Sequence, residues 1–200
     1  MLLAIDSAAG ACSAALIDGE EVVGERHEIV GRGHAERLVP MIAELLDGRR
    51  PDAILVDCGP GSFTGLRVGL AAAHGLAIGW RVPLAGYSSL AVLAAAHGGG
   101  RPVAAALHGG HGELFVQSYG GDPLVALDAL RSLAPEAAAA AIAAPLVVGS
   151  GAEALVSARG FGQWTDALPR ASDARLLPAQ LRSLEPRPIY GRGADARPMK

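Results

Sequence analysis

The chain has 200 residues, of which 50% are hydrophobic and only 4% aromatic, and this composition predicts a globular protein with an aliphatic core. The formal net charge of -3 gives no global basic field, so binding to nucleic acid through the chain's own charge is not expected. The N-terminus has no basic, apolar leader and no apolar run reaches the ~20 residues that span a bilayer, so we expect a cytoplasmic protein without a membrane segment.

The first thirty residues predict a meander of three strands. Residues 2–5 form a short apolar strand that ends at Asp6-Ser7, residues 12–17 resume the pattern, and residues 21–29 follow the turn at Asp18-Gly19. An actin-like or sugar-kinase-like nucleotide fold would place a phosphate-facing carboxylate and hydroxyl at Asp6 and Ser7. The two residues are also ordinary turn chemistry, and the residues alone favour that interpretation.

Residues 34–46 predict an amphipathic helix. Its apolar face contains Leu38, Ile42, Leu45 and Leu46, with Val39 and Met41 widening it. Such a width suits a helix that touches its own sheet on one side and a partner on the other. Pro40 either lies in the first turn or kinks the helix. No second histidine stands four positions after His34, so a paired-histidine metal site is absent and we expect His34 to be an exposed polar contact.

The central stretch is an apolar strand at residues 54–56, followed by Asp57, a glycine loop and an apolar helix that ends at Trp80. The loop fits neither phosphate-binding pattern, because the dinucleotide fingerprint would need a glycine at Thr64 and the Walker loop would need a lysine at Leu66. A tight turn capped by Ser62 or Thr64 is favoured. The helix is apolar on most sides, so it needs both its own sheet and a second neighbour, which is a further helix of this chain or another protein.

The remainder predicts a second lobe. Residues 82–87 form a strand and Ser88-Ser89 opens a helix that runs to a glycine run at 98–100, which we interpret as the boundary between lobes 1–100 and 101–200. Strands at 101–107 and 113–119 flank a glycine turn with His108 and His111, for which a hairpin is favoured over a metal site. Helices are predicted at 129–144, 152–158 and 174–184, with a strand at 146–148 and a loosely ordered tail.

Four motifs of the first lobe resemble the TsaB (YeaZ) family. They are Asp6-Ser7 with its hairpin, His34-x-Glu36-Arg37-Leu38-x-Pro40, Gly59-Pro60-Gly61-Ser62-Phe63-Thr64-Gly65-Leu66-Arg67-x-Gly69, and Ser88-Ser89-Leu90. The likeness covers most of residues 2–119. It departs from the family at His108-Gly109-Gly110 and at Tyr190-Gly191-Arg192, which puts second-lobe contacts in doubt.

The resemblance implies an α/β, actin-like and ribonuclease H-like (ASKHA) fold of two lobes, with mixed sheets flanked by helices. It implies a subunit without catalytic activity, metal or cofactor, required for threonylcarbamoyladenosine formation in tRNA. The chain would pair with the catalytic subunit TsaD and, through it, with the ATPase TsaE, and would meet tRNA only indirectly. The glycoprotease-like label of some family members is not carried over, because the paired histidine is absent.

Together, the residues and the resemblance suggest that the two apolar helices form half of a helix bundle with a partner, or with a second copy when the partner is missing. We expect the buried centre of that interface to contain Leu38, Met41, Ile42, Phe63, Leu66 and Leu70. We expect its rim to contain His34, Arg37, Ser62, Thr64 and Arg67. The alternative is an ASKHA enzyme that binds or hydrolyses a nucleotide, with Asp6 or Asp57 as the carboxylate; a weak nucleotide site facing Asp6 and Ser7 stays open.

Overall fold

The computed structural model describes residues 1–31 and 33–191, and within them the chain forms two mixed β-sheets flanked by helices. The strands are β1 Leu2–Asp6, β2 Ala11–Asp18, β3 Glu21–Ile29, β4 Ala53–Asp57, β5 Leu84–Tyr87, β6 Val103–His108, β7 Leu114–Gly120, β8 Val125–Ala126, β9 Arg131–Leu133, β10 Leu146–Val148 and β11 Gln163–Thr165. The helices are α1 His34–Leu46, α2 Phe63–Trp80, α3 Ser89–Gly98, α4 Pro135–Ala141 and α5 Ala152–Arg159. The predicted α/β class is confirmed.

The first sheet has the strand order β3-β2-β1-β4-β5. The three N-terminal strands pair antiparallel, as the meander predicted, whereas β4 and β5 continue the sheet parallel to β1. Parallel strands bring their carboxyl ends to one edge, so the loops after β1, β4 and β5 meet there. Alternating side chains divide the core: Leu3 and Ile5 face α1 and α2, whereas Ala4 faces α3 and the second sheet.

The second sheet has the order β11-β10-β6-β7-β8, and β9 also pairs with β7, along a part of that strand that β8 does not occupy. Strands β6 and β7 form the predicted antiparallel hairpin around a short 3₁₀ turn at Gly110–Gly112. Helices α4 and α5 cover one face of this sheet, and α3 is packed between the other face and the first sheet. The strand at 146–148 and the helix that follows it lie where the sequence predicts them.

Two predicted helices are wrong. Residues 129–144 contain β9 and the short α4, because Pro135 can occupy only the first turn of a helix and the preceding residues pair with β7. Residues 174–184 contain parts of two 3₁₀ helices, Ala171–Leu176 and Ala179–Arg182, instead of one α-helix. Pro178 separates them because it lacks the N–H that a continuous helix requires.

The chain after residue 170 returns to the first sheet. The backbone N–H of Ala171 donates to Ser13 Oγ at 3.0 Å, and Leu184 pairs with Gly86 through two backbone hydrogen bonds of 2.7 and 3.0 Å. Further on, the N–H of Ile189 donates to the carbonyl of Cys58 at 2.8 Å. The domain boundary at 98–100 stays a prediction, and the predicted loose tail beyond Gly191 lies outside the described residues.

The described part of the chain has neither a membrane-spanning helix nor a cluster of metal-ligating side chains. None of its helices is long and apolar enough to cross a membrane. No group of three or more His, Cys, Asp or Glu side chains in residues 1–31 and 33–191 is placed to hold a metal ion.

Candidate functional site

Two buried carboxyl groups lie side by side where β1 and β4 end. Asp6 and Asp57 are 1% and 2% exposed. The Oδ1 of Asp57 accepts from the N–H of Gly59 at 2.8 Å, and its Oδ2 accepts from Ser89 Oγ at 2.5 Å. The Oδ1 of Asp6 accepts from the N–H of Ala8 at 3.2 Å. The pair therefore ties the loops after β1 and β4 to the first turn of α3.

The pKa of each carboxyl group in this pair is raised. Burial, followed by the charge of Asp57, raises the pKa of Asp6 well above its ordinary value. Burial also raises the pKa of Asp57, although the hydrogen bond from Ser89 opposes the rise. The hydrogen bond between the two carboxyl groups raises the pKa of Asp6 and lowers the pKa of Asp57, which favours the proton on Asp6. The enclosed pair holds the two loops together and is not exposed to a ligand.

Ser7 also points into the protein. It is 2% exposed, and its Oγ donates to the carbonyl of Gly65 in α2 at 2.8 Å. The nucleotide-facing position considered for Asp6 and Ser7 from the sequence is therefore not where these side chains lie. Their contacts connect β1 to α2.

The glycines of the loop and α2 allow the helix to approach the turn after β1. A Cβ atom at Gly61 would overlap the carbonyl of Ala8, and one at Gly65 would overlap the carbonyl of Ser7. The N–H of Ser62 donates to the Ala8 carbonyl at 2.6 Å, and Ser62 Oγ accepts from the N–H of Gly65 at 3.2 Å, which confirms the predicted cap. The glycine-rich turn thus serves close backbone packing, and part of its N–H groups are already bonded within the chain.

A cleft of about 430 Å³ remains between the two lobes. Its walls include the glycine loop on one side and the β6–β7 turn, with Ser150, on the other; they contain Ala8, Ala9, Gly10, Gly31, Gly61, Ser62, Leu107, His108, Gly109, Ser150 and Leu168. No Asp, Glu, Lys or Arg side chain occurs among these described lining residues. The cleft offers hydroxyl, imidazole and backbone groups, and it lacks the carboxylate that a magnesium–nucleotide site would use.

Most of the predicted interface centre lies in the protein's own core. Five of its side chains are at most 6% exposed: Leu38, Met41, Ile42, Leu66 and Leu70. Leu38, Met41, Ile42 and Leu70 pack between α1, α2 and the first sheet, and Leu66 is buried beside Gly59, so all five are out of reach of a second chain in this structure. The apolar stripe of each helix faces its own sheet, and the surface available to a partner has to lie on the opposite side of α2.

His34 is also buried, so its prediction as an exposed contact is wrong. It is 3% exposed and its Nε2 lies 2.8 Å from the carbonyl of Ala9. Because a carbonyl can only accept, Nε2 donates and fixes the start of α1 to the turn before β2. Arg37 bonds Glu28 of β3 at 2.5 and 2.7 Å and Glu44 at 2.8 Å, on the side of α1 that faces β3. It lies away from α2.

The exposed side of α2 carries a mostly apolar stripe, which we call the outer helix face. It consists of Phe63, Arg67, Ala71, His74, Gly75 and Ile78, and Val39 of α1 is exposed as well. Phe63 is 55%, Val39 51% and Ile78 76% exposed. The guanidinium of Arg67 lies over the ring of Phe63, 3.6 Å from its centroid. Ser62 is exposed although it caps the helix, and Thr64 is exposed beside Phe63.

Sequence reasoning missed Ala71, His74, Gly75 and Ile78. Counting helical turns from Phe63 selects them, because residues four and then three or four positions apart share a face. It also missed Tyr190, whose ring centroid lies 5.9 Å from that of Phe63. No sequence pattern connects these two residues, since they meet only through the return of the chain to the first sheet.

Comparison with known proteins agrees with the motifs. Residues 22–150 match the family model described as "TsaD: tRNA N6-adenosine threonylcarbamoyltransferase". The TsaB protein of Escherichia coli, a tRNA threonylcarbamoyladenosine biosynthesis protein, is 36% identical over 126 residues, which is 59% of this chain and 54% of the relative. The chain thus spans about half the length of the curated relatives it matches.

Two solved structures from Pseudomonas aeruginosa cover most of the chain. YeaZ is 30% identical with a TM-score of 0.73, over 86% of this chain and 88% of that one. A protein described as similar to the peptidase YEAZ is 29% identical with a TM-score of 0.82, over 96% and 99% of the two chains. These likenesses confirm the predicted actin-like (ASKHA) fold. The chain belongs to the family that the matching model describes and, within it, to TsaB/YeaZ.

Proposed function

We propose that this protein is a non-catalytic subunit required for threonylcarbamoyladenosine modification of tRNA, and that it acts by dimerising with a TsaD-like catalytic subunit. The observation that carries the proposal is the outer helix face, where large apolar side chains remain in water on a helix whose inner side is fully packed. Large apolar side chains left exposed on one side of a packed helix are typical of an interface with another protein.

A TsaD-like partner fits this face because the two proteins are related. The TsaD family model matches the chain over residues 22–150, a range that includes both α1 and α2. A TsaD-like protein is therefore expected to present a similar pair of helices. Two related faces pack about a pseudo-two-fold axis, and a second copy of this chain would use the same face when the partner is absent. Ala71 and Gly75 allow the helix axes to approach closely.

The enclosed carboxyl pair supports a subunit without catalysis of its own. Asp6 and Asp57 are occupied by the loop N–H groups, by Ser89 and by each other, and neither lines the cleft. A catalytic acid or base has to reach its substrate within hydrogen-bond distance. Activity would then come from the TsaD-like subunit, and a TsaE-like ATPase would join only the assembled pair. Contact with tRNA would be made through that complex, consistent with the net charge of -3.

The test places a charge on the outer helix face. Ile78→Asp should abolish co-purification of the TsaD-like protein and reduce threonylcarbamoyladenosine in cellular tRNA, because a buried unpaired carboxylate opposes association. Leu127→Asp is the matched control, since Leu127 is 58% exposed in the second lobe. Unchanged pairing of Ile78→Asp, or equal loss in both variants, would reject the assignment of this face. A TsaE-like protein should be retained only when both other subunits are present.

A nucleotide-dependent enzyme is the second candidate, and the cleft between the lobes favours it. Its volume of about 430 Å³ lies beside the glycine loop, where a nucleotide fold would bind phosphate. Titration of the purified protein with ATP and magnesium, followed by measurement of released phosphate, separates the two candidates. Hydrolysis by the protein alone, lost in a variant that fills the cleft such as Ser150→Trp, would reject the scaffold proposal.

A further inference from the structure

The segment from Leu184 to Tyr190, which we call the C-terminal strap, is fixed at its two ends. Leu184 exchanges two backbone hydrogen bonds with Gly86 at the edge of the first sheet, and the N–H of Ile189 donates to the carbonyl of Cys58. The side chain of Ile189 packs against the core between the first sheet, α1 and α2. These bonds hold the strap in place independently of any partner.

Between these ends the strap lies along one side of α2. His74, which lies on the outer helix face, has its Nε2 3.0 Å from the carbonyl of Pro186. At the N-terminal end of α2, the ring of Tyr190 meets the ring of Phe63 at a centroid distance of 5.9 Å and an interplanar angle of 32°. The strap therefore adds an aromatic side chain to the surface that the outer helix face presents.

Arg67, Phe63 and Tyr190 form one exposed group, which we call the aromatic stack. The guanidinium of Arg67 lies over the Phe63 ring, 3.6 Å from its centroid, while Tyr190 is 51% exposed beside it. Contacts between the three side chains restrict their rotamers before any partner arrives, so less conformational entropy is lost on binding. Tyrosine and arginine are also the residue types that contribute most binding energy at protein interfaces.

The charge of Arg67 indicates what the stack binds. Within residues 1–31 and 33–191, several other arginines form ion pairs, but Arg67 forms none with an Asp or Glu side chain. A guanidinium stacked on an aromatic ring keeps the N–H groups at its edge available, and that edge matches a carboxylate with two parallel hydrogen bonds. The matching group on the partner is an acidic side chain.

We propose that the C-terminal strap belongs to the partner-binding surface, and that the aromatic stack anchors an acidic side chain of the TsaD-like partner. This inference rests on the proposed function and adds a second segment, distant in sequence, to the helices that make the interface. Tyr190 is then a positioning residue for Phe63 and Arg67 as well as a contact residue.

The experiment measures the Kd of the full-length protein for the TsaD-like protein of the same cell by calorimetry. Tyr190→Ala and Phe63→Ala should each weaken binding about tenfold or more, the loss expected at an interface anchor. Tyr190→Phe keeps the ring and should stay within about threefold of the original Kd. Phe161→Ala is the matched control, because Phe161 is 56% exposed and also carries an arginine over its ring, at 4.5 Å, in the second lobe.

The proposed acidic side chain of the partner is tested by measuring binding at different ionic strengths. Arg67→Ala should weaken binding and reduce the dependence of Kd on ionic strength, and Arg67→Lys should not restore it, because lysine cannot form the planar two-bond contact. If the unaltered protein does not bind the TsaD-like protein, the proposed function fails. If it binds and Ile78→Asp abolishes binding, but Tyr190→Ala, Phe63→Ala and Arg67→Ala bind like the original, the strap inference is overturned while the proposed function stands.

Discussion

The inner and outer faces of α2 differ in how far other parts of the chain cover them. On the inner face, Gly65 and Gly69 lie against Ser7, and Leu66 and Leu70 are enclosed by the sheet. On the outer face, Ile78 is 76% exposed and small residues separate it from Phe63. The glycine motif therefore explains how the inner face of the helix packs against its own chain. The exposed residues of the outer face are the ones that support the proposal of a partner.

Substitutions on the inner and outer faces of α2 should therefore have different effects. A change on the inner face should reduce the free energy of unfolding, and a change on the outer face should reduce binding without reducing stability. A variant that breaks this rule would show that the two faces are not independent.

Leu70→Ala should have the largest effect on stability. Leu70 is 6% exposed in the core between α2 and the sheet, so we expect a loss of about 3 kcal/mol in the free energy of unfolding. Ile78→Ala, eight residues further along the same helix, should change it by less than about 0.5 kcal/mol. Urea denaturation of both variants checks the pair, and equal losses would contradict the division of the helix into two faces.

Gly65→Ala should cost nearly as much. The added Cβ would overlap the Ser7 carbonyl, and overpacking against backbone is expected to lower the free energy of unfolding by about 2 to 3 kcal/mol. Gly75→Ala is the control on the outer face, where nothing lies within 4 Å of the new atom. That variant should gain roughly 0.5 to 1 kcal/mol, because alanine loses less backbone entropy in a helix. Equal stability of the two variants would remove the packing explanation for the motif.

His34→Ala tests the attachment of α1. The change leaves the Ala9 carbonyl without its donor and should lower the free energy of unfolding by about 2 kcal/mol. Glu36→Ala, at an exposed position of the same turn, should have an effect below about 0.5 kcal/mol. Thermal denaturation of the two variants is sufficient, and a silent His34→Ala would mean that the hydrogen bond contributes little.

Asp6→Asn should have the smallest effect, and its sign depends on pH. Because the pKa of Asp6 is raised in the folded state, the protonated group contributes stability below the unfolded pKa of about 3.9, and this contribution is lost as pH rises through the folded pKa. Asparagine does not ionise and can donate to Asp57. At pH 8 the variant should therefore be more stable than the original by on the order of 1 kcal/mol, with the advantage shrinking toward pH 4.

Asp57→Asn provides the contrast for that experiment. Both carboxyl oxygens of Asp57 accept hydrogen bonds, from Gly59 and from Ser89, so an amide nitrogen there would face a donor. This variant should lose stability at every pH. Denaturation curves from pH 4 to 8 compare the two, and a stabilising Asp57→Asn would indicate that the proton resides on Asp57 and not on Asp6.

The sequence was sufficient for the elements of the first lobe. The ends of α1 and α2 agree with prediction because the apolar period, the Ser62 cap and the glycine turn are local properties. The helix predicted at 174–184 is wrong because the apolar pattern continues through Pro178, whereas a proline has no N–H and ends the helix there.

The candidate site was harder to predict, because its residues meet through tertiary structure. Periodicity showed that Leu38 and Leu70 lie on apolar stripes, but a stripe does not say whether a sheet or a partner covers it. The Asp6–Asp57 pair depends on the parallel pairing of β1 with β4. The contact of Tyr190 with Phe63 depends on the path of the strap, which no local pattern specifies.

The path of the chain after residue 170 also bears on the order of synthesis. A ribosome releases the N-terminal part first, so β1 to β5 emerge well before the segment that bonds Ser13, Gly86 and Cys58. Until that segment is synthesised, the edge of β5 and the loop after β4 lack their backbone hydrogen-bond partners. The strands of the second sheet are synthesised during that interval. The first sheet therefore gains these partners only after the second sheet has been synthesised, and Tyr190 can reach Phe63 no earlier.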